Sequence, residues 1–458
     1  MSAAFSDSPH SRRDVIKDGL AWSAALIGLP ALWRHPGFDP RGALAYLDVA
    51  RKAGQWLGAV ALTDERGARW PADPRDAATV SLDLYNGTPG VVPYWLELYH
   101  ATKEPDALHL ATAGADYLLA TLPTDRVEDA GLYTGMAGIG WVLAMTHRAT
   151  HLDRFNAGAR RALDLIAQSA KATEHGAGWA DSTDIISGSA GTGLFLLWAH
   201  REFGDDRALA LARDAGRALV AAGEQAGGGL RWRVNASMAR NYPNFSHGTA
   251  GVAYFLATLH QATGDPMFLD AALAGARYLQ SLATTTEHGG HMVFHSEPGN
   301  ESLFYLSWCH GPAGTSRLFH RLGQITGDPA YAAYVDALAL ATVDMKVPER
   351  SPGFWNNISQ CCGNCGVTEF FISLHALRGR REHLAFAETV AQDTIARGTA
   401  AGSGMQWVQA ENRVSPDKTV AQTGLMQGAA GVGLAMLHLD GALRGRAPFI
   451  TLPDNPFA

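Results

Sequence analysis

Ser307-Trp308-Cys309-His310-Gly311-Pro312-Ala313-Gly314, with the run that follows it to Ile325-Thr326-Gly327-Asp328-Pro329, decides the fold of this chain. Two glycines three residues apart open the stretch, and a helix-forming run follows. Gly-Asp-Pro then stops that helix and starts another, because Asp caps a helix and Pro fits its first position. The next helix reads from Tyr331 to Met345. The unit is therefore a helical hairpin that opens on a Gly-x-x-Gly step.

Working outward, the same step occurs seven times, beginning at Gly87, Gly135, Gly188, Gly248, Gly311, Gly363 and Gly428. Consecutive steps lie 48, 53, 60, 63, 52 and 65 residues apart. Helical runs follow at Val91 to His100, Ile139 to His147, Thr192 to His200 and Val252 to His260. Ala262-Thr263-Gly264-Asp265-Pro266 repeats the stop, before a helix from Phe268 to Ala283. Hairpins of this period stack to bury faces that none can bury alone. An open stack needs polar end repeats, and the first and last here are as apolar as the rest. The reading is all-α: an α/α toroid of seven hairpins in one domain, with repeats from about residue 80 to 445. Inner helices start at the glycine steps, where glycine permits a tight turn and close backbone approach. Their N-termini bring positive dipole ends to a cup at one end. Short strands and loops, from Glu287 to Leu306 and around Trp232 and Trp407, are expected over the ends.

Composition narrows the function. A chain of 458 residues with 47% hydrophobic and 18% charged content is well buried rather than disordered. A net charge of −7 with no basic stripe argues against nucleic acid. No run is long enough to span a membrane. Ser11-Arg12-Arg13-Asp14-Val15-Ile16-Lys17, followed by the uncharged Gly19 to Trp33, reads either as a first helix or as a twin-arginine export signal. The expected location is the cytoplasm, with export through residues 11–33 as the alternative.

Chemistry concentrates at the glycine steps. Cys309 lies in Trp308-Cys309-His310-Gly311, and Cys361 and Cys362 in Cys361-Cys362-Gly363. Buried core thiols are the plain alternative, but three at repeat-equivalent turns fit a metal site, and thiolates favour zinc. Cys365 sits inside the next helical turn and is not expected to join them. His247 precedes Gly248 and by ring symmetry opens on the same cup, where it is either an acid–base group or a cap. Asp184, four residues before Gly188, is either its partner or a turn cap. His100, His147, His200, His260 and His375 recur near inner-helix ends and read as structural. His288, His291 and His295 are broken by Gly289 and Gly290, which argues against a second metal site and suits a lid.

These motifs resemble the lanthionine cyclase (LanC-like) family over nearly the whole chain from about Tyr85. Trp308-Cys309-His310-Gly311-Pro312-Ala313-Gly314 resembles its first zinc motif. Cys361-Cys362-Gly363-Asn364-Cys365-Gly366 resembles the second, with Cys362 where most members carry histidine. Phe245-Ser246-His247-Gly248-Thr249-Ala250-Gly251 is similar to the segment of the family's acid/base histidine, and Asp184-Ile185-Ile186-Ser187-Gly188 to that of its aspartate. The resemblance implies a toroid holding Zn²⁺ on Cys309, Cys361 and Cys362. It implies thioether formation on a dehydrated precursor peptide, in which a peptide thiol adds to dehydroalanine or dehydrobutyrine. His247 would be the proton donor and Asp184 its aid. One departure stands out: Tyr305 occupies the position, four residues before Cys309, where well-studied bacterial members carry arginine. His310 is the candidate to replace it. The glycine steps begin near residue 85, so a separate dehydratase is the expected partner. The alternatives are addition of glutathione or another small thiol, and a non-catalytic peptide-binding toroid with structural zinc. Glycoside chemistry would need paired carboxylates, and the inner-helix runs offer no convincing pair; thiols would also be superfluous to it.

Overall fold

The computed structural model describes residues 45–349 and 354–457, so the segment 11–33 lies outside the described residues. Among these residues are fourteen α-helices. The seven inner ones are α2 (Thr88–Thr102), α4 (Met136–Thr150), α6 (Ser189–Phe203), α8 (Thr249–Thr263), α10 (Pro312–Thr326), α12 (Asn364–Arg378) and α14 (Ala429–Leu443). The outer ones are α1 (Tyr46–Ala59), α3 (Pro105–Ala120), α5 (Asp153–Ser169), α7 (Asp206–Ala221), α9 (Pro266–Leu282), α11 (Pro329–Asp344) and α13 (Arg381–Ala396). Each inner helix from α2 to α12 packs on the outer helix that follows it, and α14 packs on α1 and α2, closing the ring. Helix α1 thus forms the outer half of the last hairpin. Expecting repeats only from about residue 80 misses α1, because an outer helix carries no glycine step.

Burial follows the two layers. In α8 every residue from Thr249 to Leu259 is buried, since an inner helix meets protein on all sides. In α5 only one stripe is buried, including Phe155, Ala159, Ala162 and Ile166. Gly204, Gly264, Gly327 and Gly379 end inner helices at φ of 66° to 70°, a left-handed conformation that favours glycine. Asp265 and Asp328 then accept the Met267 and Ala330 amides as caps. The Gly-x-x-Gly glycines work differently. Gly248 is extended, at φ −148°, and a side chain there would strike the Tyr242 carbonyl. Close approach, and not an unusual turn, is what demands glycine at these steps.

The short strands form two-stranded pairs. Four indoles stitch this layer to the outer helices. Trp70, Trp179, Trp232 and Trp407 each donate to a carbonyl thirteen residues earlier: Leu57, Ile166, Leu219 and Thr394. No helix of the described residues is long and apolar enough to cross a membrane.

Candidate active site and thiol cluster

A closed circuit of backbone hydrogen bonds positions the site. Tyr85 N–H donates to Tyr133 O, Tyr133 to Ile186, Ile185 to Ser246, Ser246 to Cys309, Cys309 to Cys361, Cys361 to Met426, and Met426 back to Tyr85, all at 2.8–3.1 Å. The residue just before each glycine step therefore occupies an equivalent place on one rim: Asn86, Thr134, Ser187, His247, His310, Cys362 and Gln427. The candidate residues come from four neighbouring turns of this circuit. Asp184 belongs to the third, His247 to the fourth, Cys309 and His310 to the fifth, and Cys361 and Cys362 to the sixth.

Cys309, Cys361 and Cys362 are all buried, and their sulfurs lie within 4.8 Å of one another. Cys309 Sγ is 3.3 Å from Cys362 Sγ, which is 3.4 Å from Cys361 Sγ. Among the described residues they are the one group of His, Cys, Asp or Glu spaced to hold a metal ion. Burial opposes ionisation of all three. Hydrogen bonding from Cys309 and Cys362 overcomes it at Cys361, whose charge then holds protons on the other two. A divalent cation among the sulfurs reverses that balance, so the donor set fits a thiophilic metal. Cys365 is fully buried against Thr394 of α13 and stands apart from the cluster.

His247 and Asp184 meet, with Nδ1 2.5 Å from Oδ2. Asp184 is fully buried, and its Oδ1 accepts the amides of Ser187 and Gly188 at 2.9 and 2.8 Å. Burial works against the charge of Asp184, but His247 and these amides hold its carboxyl below the usual range. Burial pulls His247 down, while the bond and charge of Asp184 push it up more strongly, for a net rise. The His247 side chain remains 36% exposed, open to the cup.

Aromatic and imidazole rings gather next to the thiol turns. The His247 and His310 centroids are 5.8 Å apart, and those of His295 and His310 4.3 Å. Tyr242 lies 6.1, 5.5 and 5.3 Å from His247, His295 and His310. Tyr305 packs at 4.5 Å on His295, and its phenol is pushed up by burial and then by Cys362 and Cys309, so it stays a neutral donor. His310 is buried and held well below its usual pKa by that burial and then by His295 and His247.

The sequence-predicted His247, Asp184, His310, Cys309, Cys361 and Cys362 thus converge. The suggested histidine lid does not act as a group. His288 pairs with Asp344 at 2.7 Å and His291 packs at a tilt on Tyr334, leaving only His295 of the three at the cup. Sequence reasoning placed His295 no nearer than the lid, and gave Tyr242 no role. Both sit on irregular loops where no repeat marks them. His147, His200, His260 and His375 each place Nδ1 on the carbonyl five residues on, at the helix end. A small cavity of about 60 Å³ is lined by Trp308, Gln360 and His438.

A closed seven-hairpin toroid with a buried three-thiol cluster beside a His–Asp pair defines a narrow class of proteins. This chain belongs to the family described as lanthionine synthetase C-like protein, whose profile matches residues 78–451. Among solved structures it is similar to nisin cyclase, at 15% identity and a TM-score of 0.60 over 87% of this chain and 98% of that one. That likeness shows the toroid fold. A looser overlap is with an α-1,6-mannanase of Salegentibacter sp., at 13% identity and a TM-score of 0.47 over 87% of this chain and 99% of that one. A search of curated proteins found no match.

Proposed function

We propose that this protein is a zinc-dependent lanthionine cyclase that joins peptide thiols to dehydroalanine or dehydrobutyrine as thioethers. The juxtaposition of the Cys309–Cys361–Cys362 cluster with the His247–Asp184 pair on one rim carries this reading. Cys309, Cys361 and Cys362 would hold the metal. Zinc bound there supplies Lewis acidity, which lowers the pKa of a substrate thiol.

The chain's own residues supply the rest. Asp184 fixes His247 through Nδ1, which leaves Nε2 for the cup. With its pKa raised, His247 carries the proton that the α-carbon needs after sulfur has added to the β-carbon. Asp184 orients His247 and stabilises its cation. Tyr242 and Tyr305 wall the cup and keep water from the enolate. The substrate is a dehydrated precursor peptide, made by a separate dehydratase, and the expected location remains the cytoplasm, with export as the alternative.

Because His247 must be protonated, activity falls as pH rises through its elevated pKa. Asp184→Asn removes the influence that raises it, so the alkaline limb moves to lower pH. The direct test measures zinc per protomer for the parent and Cys361→Ala, then peptide thiol and mass on a dehydrated precursor. Loss of thiol at constant mass is cyclisation. A mass gain equal to added glutathione identifies the small-thiol alternative. Zinc with neither change leaves the peptide-binding toroid.

A further inference from the structure

The loop between α9 and α10 places one imidazole over the cup through a chain of polar contacts that the reaction as described so far leaves unused. His295 Nδ1 lies 3.0 Å from Ser296 Oγ. Ser296 is fully buried, and its hydroxyl accepts from Asn300 Nδ2 at 3.0 Å. Asn300 Oδ1 in turn accepts from Arg413 Nη2 at 3.0 Å. Arg413 comes from the segment joining the strands Val408–Ala410 and Thr419–Ala421, so the chain ties two loops together across the mouth.

This order of donors sets a tautomer. A serine hydroxyl has one proton and two lone pairs. Asn300 donates to Ser296, and His295 Nδ1 is the partner within reach of the hydroxyl's own proton. Nδ1 therefore accepts, and the imidazole proton resides on Nε2. The ring packs at a tilt against both Tyr305 and His310, with centroids 4.5 and 4.3 Å away, and shares Tyr242 with His247. It thus shares two ring neighbours, Tyr242 and His310, with His247.

We propose that His295 is the catalytic donor that holds the enolate oxygen during thioether formation, its Nε2–H aimed at the cup by Ser296, Asn300 and Arg413. This assignment rests on the cyclase reading above. In the step, a sulfur lone pair forms the bond to the β-carbon and the alkene π pair moves towards the carbonyl oxygen. That oxygen accepts a hydrogen bond from His295 without taking its proton. The α-carbon then takes the proton of His247, which recovers the one the thiol gave up. Two imidazoles divide the work: one transfers a proton and one only donates. Burial first, then Arg413, Arg240 and His247, hold His295 down to about 4, so it stays neutral when His247 is charged. A neutral imidazole is an effective electrophile towards a developing oxyanion.

The test uses the full-length zinc-loaded chain and a dehydrated peptide. His295→Ala should lower kcat by about 10²–10³-fold, the usual cost of one oxyanion donor. KM, zinc content and melting temperature should change little. His295→Gln, which keeps an N–H donor, should recover part of the rate. Ser296→Ala should cost about 10-fold as a positioning change. It should also turn the single Nε2–H tautomer, read by ¹⁵N NMR of labelled histidine, into a mixture. Wild-type turnover in His295→Ala, or an Nδ1–H tautomer in the parent, overturns this assignment alone. A parent that binds zinc yet consumes no peptide thiol overturns the cyclase reading, and this assignment with it.

Discussion

His247 with Asp184 at the rim, and His438 with Glu369 and Glu97 inside the barrel, are made of the same parts. In each an imidazole Nδ1 meets a carboxylate, at 2.5 Å from Asp184 and 2.8 Å from Glu369. Both histidines are raised in pKa against the pull of burial, His438 to about 10. They differ in what the second nitrogen meets. His438 is 10% exposed, and its Nε2 lies 3.6 Å from Glu97, whose carboxylate also accepts the Phe449 and Ile450 amides. That pair is closed on itself and pins the C-terminal segment inside the ring. The His247 side chain is 36% exposed, and Asp184 engages only its Nδ1. A His–carboxylate pair becomes a reagent when one nitrogen is left for a substrate, and a strut when both face buried carboxylates.

The strongest way to break this contrast is to show that the rim pair is also a strut. His247→Asn should reduce kcat for cyclisation by about 10²–10⁴-fold, the usual contribution of a general acid. Its melting temperature should stay near that of the parent. A large loss of stability with the rate per folded molecule preserved would erase the distinction.

The complementary change is Glu369→Gln. It removes the carboxylate bonded to Nδ1 and leaves His438 facing Glu97 alone, so the cost is that of a charged hydrogen bond, about 1.5–3 kcal/mol. Denaturant unfolding should show that loss, while cyclisation per folded molecule below the transition is kept. A fall in rate with unchanged unfolding would move His438 into the chemistry.

A pH series sharpens the same point. His438 has a folded pKa above its unfolded one, so its stabilising contribution is complete below about 6.5 and is lost as pH rises through about 10. The stability gap between the parent and Glu369→Gln should therefore be widest near neutrality and narrow towards pH 10. A gap that stays constant from about pH 6 to about pH 10 would show no proton linkage and mean that His438 is uncharged in the fold.

How much of this was legible follows from the ring. Local chemistry repeats at the glycine steps, so the inner helices, their Gly-Asp-Pro exits and the convergence of Cys309, Cys361, Cys362, His247 and Asp184 could be read from spacing and resemblance. Helix α1 could not, because an outer helix bears no step and its partner α14 lies at the far end of the chain. His295 was hidden for another reason. It stands on a loop held by contacts to Asn241 and Arg413's partner Asn300, which are tertiary and leave no periodic trace. The His438–Glu97–Glu369 cluster was silent because its members come from three inner helices, α14, α2 and α12.

The smallest expected effect concerns the recurring histidines. His260 Nδ1 lies 2.8 Å from the Asp265 carbonyl, just past the end of α8. His260→Ala removes a single hydrogen bond at a helix end, and should cost about 1 kcal/mol of stability. Cyclisation and zinc content should be untouched, because the ring is at the opposite end of its helix from the glycine step. The measurement is a pair of urea transitions beside a pair of progress curves. If His260→Ala instead slowed cyclisation as much as His247→Asn, helix-end histidines would be coupled to the cup, and position on the hairpin would no longer separate struts from reagents.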